Sequence, residues 1–362
     1  MTKAREIADL GSSATSLDTV GSNLIINGAH TVDQRNSGSS ANVTNGADHF
    51  IADRFRFSEN SSATFSAQQV SDAPAGFEKS SKITVTGTDS SLAATEFHRI
   101  LQPIEGSNIS HLNWGSSNAK TLTLTFHVKS SLTGQFYVFA FNSAANRTFL
   151  SGYTIDSADT WEKKTITITG DTSGTWLTTT GAGIYLGWSL GTGSTYQSST
   201  LDAFQAGFYM AKSDQVNFGA TNSATWQLTG CQLEVGSATD FEHRSYADQL
   251  QACQRYYFQV NGDSSDRVGI GGYAVGASEA RMDVVFPCAM RAAPTISGTG
   301  TAQFDANTDS ADFNVSAMII DEAPTGIISG LGIQIASSSM VAGQSGGFRF
   351  RSTGTLSFSA EL

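Results

Sequence analysis

The sequence predicts an all-β protein: a jelly-roll β-sandwich, then a short connecting helix, then a second small β-sandwich domain. Three observations carry this. Apolar residues recur at every second position in run after run, as at Leu122, Leu124, Phe126 and Val128, which is the period of a strand with one face on a core. Polar turn clusters such as residues 171–174 (DTSG) and 191–194 (GTGS) separate these runs. Helical periodicity is confined to short stretches, and no helix–strand alternation supports a doubly wound sheet.

Each element follows in order. Residues 1–21 are read as a docking peptide. Ala4, Ile7 and Leu10 share one face of a short helix that Gly11 would stop. Such a helix is marginal alone in water, so it is expected to order only against a partner. Residues 22–240 are β in pattern. Ile166 and Ile168 alternate with polar residues, as do Ile184, Leu186 and Trp188, and Phe204, Ala206, Phe208 and Met210. Residues 136–141 are apolar at every position, so that strand is expected to be covered on both faces. The polar sides of the other strands, Thr123 and Thr125 among them, are expected to be wet.

Residues 241–258 read as a linker with a short helix. Ser245 and Asp248 have capping-box spacing. Tyr246, Leu250, Cys253 and Tyr257 fall on one helical face, expected to be the buried one. Residues 259–362 resume the β pattern. Ala280, Met282, Val284 and Phe286 alternate, as do Phe313, Val315 and Ala317, and short runs follow at 332–335, 348–350 and 356–358.

The 362 residues suffice for two domains. Charged residues make up 15%, and the net charge is −11 with no run of Lys or Arg. That excludes phosphate-backbone binding as a main role, which needs clustered cations. No nucleic-acid partner is expected. The three cysteines (Cys231, Cys253, Cys288) are widely spaced, with no metal-binding pattern, and read as reduced thiols. No cofactor and no metal site is predicted. No apolar run is long enough for a membrane span, and residues 1–13 lack the apolar core of a signal peptide.

One segment adds more. LEVGSATDFEHRSYADQLQACQRYY, residues 233–257, resembles the joint found in many bacteriophage tail-fibre and receptor-binding proteins. There it links a carbohydrate-binding-module-like jelly roll to a C-terminal β domain. TLTLTFHVKSS (121–131), WEKKTITI (161–168) and VVFPCAMRAAPTI (284–296) are fainter echoes. The resemblance implies a virion structural protein that adheres to host cell-surface polysaccharide without catalysis. It implies a homotrimer, mounted on other virion proteins through residues 1–21, with the C-terminal domain as distal tip. It also implies synthesis in the host cytoplasm and a place on the tail or particle surface. A capsid-mounted head fibre or decoration protein and a glycan-degrading tailspike enzyme are the alternatives.

Sugar rings present apolar C–H faces that stack on exposed aromatic rings. Aromatics flanked by turn residues are therefore the candidates: Trp114, Trp176 and Tyr196. Trp188 and Trp226 lie in strand alternation and read as core. In the second domain Tyr273, Arg349 and Arg351 are candidates for the tip, since paired arginines suit an acidic sugar. Residues 261–266 (NGDSSD) are rich in oxygen ligands but lack EF-hand spacing. Glycosidase chemistry needs two carboxylates about 5 to 10 Å apart. Glu78, Glu96, Glu105, Glu162, Asp202 and Glu234 are available, and no motif pairs them, so no catalytic residue is assigned.

Overall fold

The computed structural model describes residues 23–43, 45–46, 48–263, 267–300, 302–306, 312–320, 328–336 and 338–362. The docking peptide read at 1–21 and half of the oxygen-rich loop at 261–266 lie outside the described residues. The chain divides into two compact units, one comprising residues up to Tyr246 together with Leu362, the other Ala247–Glu361.

The first unit holds thirteen described strands: β1 (Ala41–Val43), β2 (His49–Ala52), β3 (Phe55–Glu59), β4 (Thr64–Val70), β5 (Ser80–Gly87), β6 (Phe97–Glu105), β7 (Leu122–Ser130), β8 (Gly134–Asn142), β9 (Arg147–Ile155), β10 (Glu162–Ile168), β11 (Ala182–Thr192), β12 (Phe204–Ala206) and β13 (Thr225–Val235). They form two antiparallel sheets, ordered β1-β4-β5-β13-β7-β10 and β12-β9-β8-β11-β6-β3-β2. The chain crosses repeatedly from one sheet to the other, giving a jelly-roll sandwich. Leu122, Leu124, Phe126 and Val128 of the first sheet meet Phe136, Val138, Leu186 and Trp188 of the second in one core, which Trp226 completes.

Strand β8 is covered twice, as its composition predicts. Phe136, Val138 and Ala140 enter the main core, while Tyr137, Phe139 and Phe141 join a second cluster with Leu101, Leu150 and Met210. The cover is an excursion over residues 193–217. It is pinned by Val216 N–H to Gln135 O (3.0 Å), Asp202 N–H to Leu150 O (2.8 Å) and Met210 N–H to Tyr196 O (2.8 Å). Only Phe204–Ala206 of the predicted strand 204–210 is a strand. Phe208 and Met210 instead pack as covering side chains, where burial rather than ladder pairing sets the alternation.

The outer face of the first sheet also departs from expectation. Thr123 and Thr125 are buried, not wet. The corner at 236–242 folds over them. Glu234 is fully buried there, accepting from Gln232 Nε2 (2.9 Å), Thr239 N–H (2.9 Å) and Thr239 Oγ1 (2.7 Å). Glu242 N–H donates to Gln232 Oε1 (2.7 Å), and Glu242 Oε2 accepts from Asn23 N–H (2.8 Å). The LEVGSATDFE run is thus a satisfied polar lid over a sheet. A buried carboxylate is tolerable only when so satisfied.

The helix α1 spans Tyr246–Gln254, with Asp248 in its first turn, where the helix dipole favours an acid. Its buried face is Gln249 and Cys253. Tyr246 is 59% exposed, and Tyr257 lies past the helix in the next strand. The face read from spacing was therefore rotated: three of its four residues are helical, and the first of them faces solvent.

The second unit continues with β14 (Tyr257–Gly262), β15 (Arg267–Ala274), β16 (Glu279–Met290), β17 (Thr295–Gly298), β18 (Ala302–Ala306), β19 (Asp312–Asn314), β20 (Ala317–Ile320), β21 (Ile328–Ala336), β22 (Ser345–Phe350) and β23 (Gly354–Ser359). They build a three-stranded sheet, β14-β23-β17, and a seven-stranded one, β19-β18-β22-β15-β16-β21-β20. Ala280, Met282, Val284 and Phe286 pack with Phe348, Phe350, Leu356 and Phe358 in its own core. The run 312–320 is broken into two strands, each pairing with a different neighbour, rather than one.

Candidate functional site

The loop tryptophans are largely buried. Trp114 and Trp176 are 9% and 6% exposed. Their rings meet edge to face at 4.7 Å, and both pack on Phe204, at 5.2 and 5.4 Å. Trp114 Nε1 donates to Lys120 O (2.7 Å), and Trp176 Nε1 reaches Asp171 Oδ2 and Ser173 O, each at 3.3 Å. Asp171 is in turn clamped by Arg147 through Nε (2.8 Å) and Nη2 (2.6 Å). Such rings close one end of the sandwich and leave little face for a ligand. Turn flanks mark a loop residue; they do not say which way its side chain points.

Tyr196 is half-buried on the outer face of the second sheet, against Phe97 (5.9 Å) and Phe208 (5.5 Å). In the second unit Tyr273 stands 52% exposed on β15. Arg349 is held by Asp305 Oδ2 (3.5 Å), and Arg351 Nε donates to Gln303 Oε1. Both arginines are therefore engaged on their own sheet.

The more open arrangement lies on the outer face of the first sheet and includes the one tryptophan the sequence reading left unassigned. Trp161 stands half-buried just before β10. The register of β7 against β10 puts it beside Lys129, and that against β13 puts Lys129 beside Gln227. All three converge on Asp72. Its carboxylate accepts from Lys129 Nζ (2.5 Å), Gln227 Nε2 (3.1 Å) and Trp161 Nε1 (3.3 Å). Burial alone would raise the Asp72 carboxyl, but the donors outweigh it and hold it below the usual carboxylate range. The Lys129 ammonium also lies 5.6 Å from the Trp161 ring centroid. One indole, one amide, one cation and one carboxylate thus meet at the outer face of the first sheet, two from strands and two from the segments beside them.

Two residues back along β7, on the same face, stands His127. Its ring lies 5.2 Å from Phe77, which also touches Phe241 (4.9 Å) and His243 (5.4 Å). Burial, then the charge of Lys163, push the His127 imidazole down, so it is neutral at neutral pH. Beyond this cluster opens a groove of about 510 Å³, walled by Thr31, Phe77, Glu78, Lys79, His243, Arg244 and Tyr246. Aromatic walls with a few convergent polar groups are what a ligand groove needs. Strand β13 allows the cluster by bulging between Thr229 and Gln232, with Gly230 at a φ of 62°.

The carboxylates considered for catalysis are dispersed. Glu105 and Glu234 are fully buried. Glu162 caps the backbone N–H groups of Asp156 and Ser157 and pairs with Lys164. Asp202 accepts from Ser151, and Glu96 from the N–H of Ala93. Glu78 alone of the six lines the groove. Among the described residues no cluster of His, Cys, Asp and Glu could hold a metal ion. No described helix is long and apolar enough to cross a membrane.

No family model matches this chain, and no curated protein does. Solved structures resemble it at low similarity. One is the enzymatically active domain of tailspike protein 4 of bacteriophage CBA120, at 11% identity over 54% of this chain and 21% of that one, with a TM-score of 0.31. This chain therefore spans about a fifth of that structure. A family 4 carbohydrate-binding module matches at 14% identity over 58% of this chain and 98% of that one, with a TM-score of 0.29. A family 11 carbohydrate-binding module from Clostridium thermocellum, in complex with a mixed-linked tetrasaccharide, matches at 11% identity over 56% and 97%, with a TM-score of 0.29. At such scores the matches carry no argument about activity; what the site can do follows from its own residues.

Proposed function

We propose that this protein is a bacteriophage virion component that adheres to host-surface polysaccharide, a tail fibre or receptor-binding protein. The observation that carries the binding role is the Trp161–Lys129–Gln227–Asp72 constellation beside the Phe77 groove. A half-exposed indole can take the apolar face of a pyranose, while Asp72, Gln227 and Lys129 can meet its hydroxyls. Lys129 and Gln227 stand on strands, and their hydrogen bonds with Asp72, which also accepts from Trp161, place the four groups before binding, so little ordering entropy is lost. The virion assignment rests on the resemblance of residues 233–257.

The reaction class is reversible adhesion, without bond cleavage. Support comes from the engagement of five of the six candidate carboxylates in structural hydrogen bonds or burial, which leaves Glu78 without a partner acid. A trimer would multiply weak sugar contacts by avidity. Soluble protein on a glycan array should bind at least one bacterial surface polysaccharide and release no reducing sugar from it. Cleavage of the bound glycan would make the protein a tailspike hydrolase instead. Labelled antibody on intact particles separates a tail mount from a capsid mount.

A further inference from the structure

Among the described residues, an arginine on the other sheet, Arg99, has no acid within hydrogen-bond or ion-pair distance. Arg99 projects from β6 away from the main core, between Ser58 of β3 and Ser189 of β11. Its guanidinium carbon lies 4.3 Å from the Phe97 ring centroid and 5.7 Å from that of Phe208. Its one hydrogen-bond partner among the described residues is a thioether, Met210 Sδ, at 3.5 Å, and its Nε is buried without an acceptor. Burial lowers its pKa to about 10, with the neighbouring charge of Arg56 adding to the effect.

Arg56 lies one diagonal step away on β3, its Nε likewise buried without an acceptor. Its Nη1 donates to Asp48 Oδ2 (2.8 Å) and to Leu362 O (3.2 Å). The Tyr185 ring centre lies 6.0 Å from its guanidinium. Tyr185 and Tyr196 are both half-buried, and neither hydroxyl has a hydrogen-bond partner among the described residues. Two cations and two phenols therefore meet on one face, with Asp48 the acidic side chain among them.

Leaving a cation desolvated and unpaired is costly. The chain has 32 acidic residues and a net charge of −11, so acids were not scarce. Packing against Phe97, Phe208 and Met210 could be done by a methionine or leucine. What only arginine adds is a charged planar fork, which matches a carboxylate with two parallel hydrogen bonds. We infer that Arg99, with Arg56 and the hydroxyls of Tyr185 and Tyr196, forms a second recognition point that takes the carboxylate of an acidic sugar. This rests on the glycan-binding reading and adds the sugar class to it.

The test uses the full chain with polygalacturonate, polysialate and fully methyl-esterified polygalacturonate at about 0.1 M salt, where the Debye length is about 10 Å. Wild type should bind at least one acidic polymer roughly tenfold more tightly than the ester, a difference of about 1.4 kcal/mol. Arg99→Met should abolish that preference while unfolding at the same or a higher temperature, and Arg99→Lys should keep only part of it. Equal binding to acid and ester, no binding to either acid, or an unchanged preference in Arg99→Met would overturn the inference. So would Arg99→Met unfolding at a lower temperature, because the cation would then be a packing element. Loss of neutral-glycan binding on the Trp161 face is a separate result. It would refute the adhesion site proposed above and leave the acid preference of Arg99 standing or falling on its own.

Discussion

Gly230, bulged out of β13 beside the Thr229–His127 pair, comes so close to His127 that a Cβ on it would lie 2.7 Å from His127 Nδ1. The same Cβ would come equally close to Phe77 Cζ. The bulge in β13 thus makes the seat for the aromatic cluster, and only glycine fits it. Its φ of 62° is left-handed, which L side chains rarely adopt. Gly230→Ala should destabilise the first unit by about 1 to 3 kcal/mol and weaken glycan binding by displacing Phe77. Denaturant unfolding followed by tryptophan fluorescence checks the first, since four of the five tryptophans lie in that unit's core and the fifth beside it.

The tryptophans should separate by role. Trp114→Ala and Trp176→Ala remove enclosed rings and should each cost about 3 to 5 kcal/mol. Trp161→Ala removes a half-exposed ring with one long hydrogen bond and should cost under about 1.5 kcal/mol. Unfolding free energies in urea give the comparison. Equal losses at all three positions would make Trp161 another packing residue.

Acid should loosen the first unit before its surface acids titrate. Burial holds the His30 imidazole at about 3 and that of His98 at about 4. In the unfolded chain both take a proton near 6.5. The folded values are depressed, so the unfolded state binds more protons below 6.5, and stability falls as pH drops from there toward 4. Each histidine contributes a slope of up to about 1.4 kcal/mol per pH unit. Glu59 and Asp33, whose carboxyls burial raises, work the other way, gaining stability as pH falls into their range. The window between pH 6.5 and 5 therefore reads the histidines most directly. Thermal midpoints should decline across it, and His98→Asn should flatten the decline.

Thiol reactivity should follow the burial of the three cysteines. Cys231 and Cys253 are buried, and Cys288 is half-exposed with Sγ donating to Gln251 O (3.2 Å). Burial pushes the Cys288 thiol up, with Arg255 opposing. A thiol reagent at pH 8 should modify one cysteine slowly in the native protein and all three after denaturation. Three fast thiols in the native state would contradict the packing around Cys231 and Cys253.

Much of the fold was legible because period-two alternation reports burial directly. Leu122 to Val128, Ile184 to Trp188 and Ala280 to Phe286 all fell on core faces. The doubly apolar strand β8 announced its second cover in the same way. What alternation could not carry was anything set by distant chain. Thr123 and Thr125 are buried because a corner more than a hundred residues away folds over them. Phe208 and Met210 alternate as a strand does, yet serve as a cover. The helix face was misjudged at Tyr246 because its packing partner is tertiary.

The candidate site was less legible for the same reason. Trp161 follows the turn at 156–160 (DSADT), a flank like those of Trp114 and Trp176, but its neighbours Asp72, Lys129 and Gln227 come from three separate segments. Strand register brings them together, and register is invisible in a single sequence without its pairings. Polarity gave one usable signal: an indole at the start of an otherwise charged strand, WEKK, has few reasons to be core.

The central claim is that the Trp161 face binds polysaccharide. Isothermal titration of the glycan selected on the array, into wild-type protein and into Trp161→Ala of unchanged melting temperature, tests it most directly. The account predicts at least a tenfold loss of affinity in the variant, about 1.4 kcal/mol. Identical binding curves for the two proteins would contradict it.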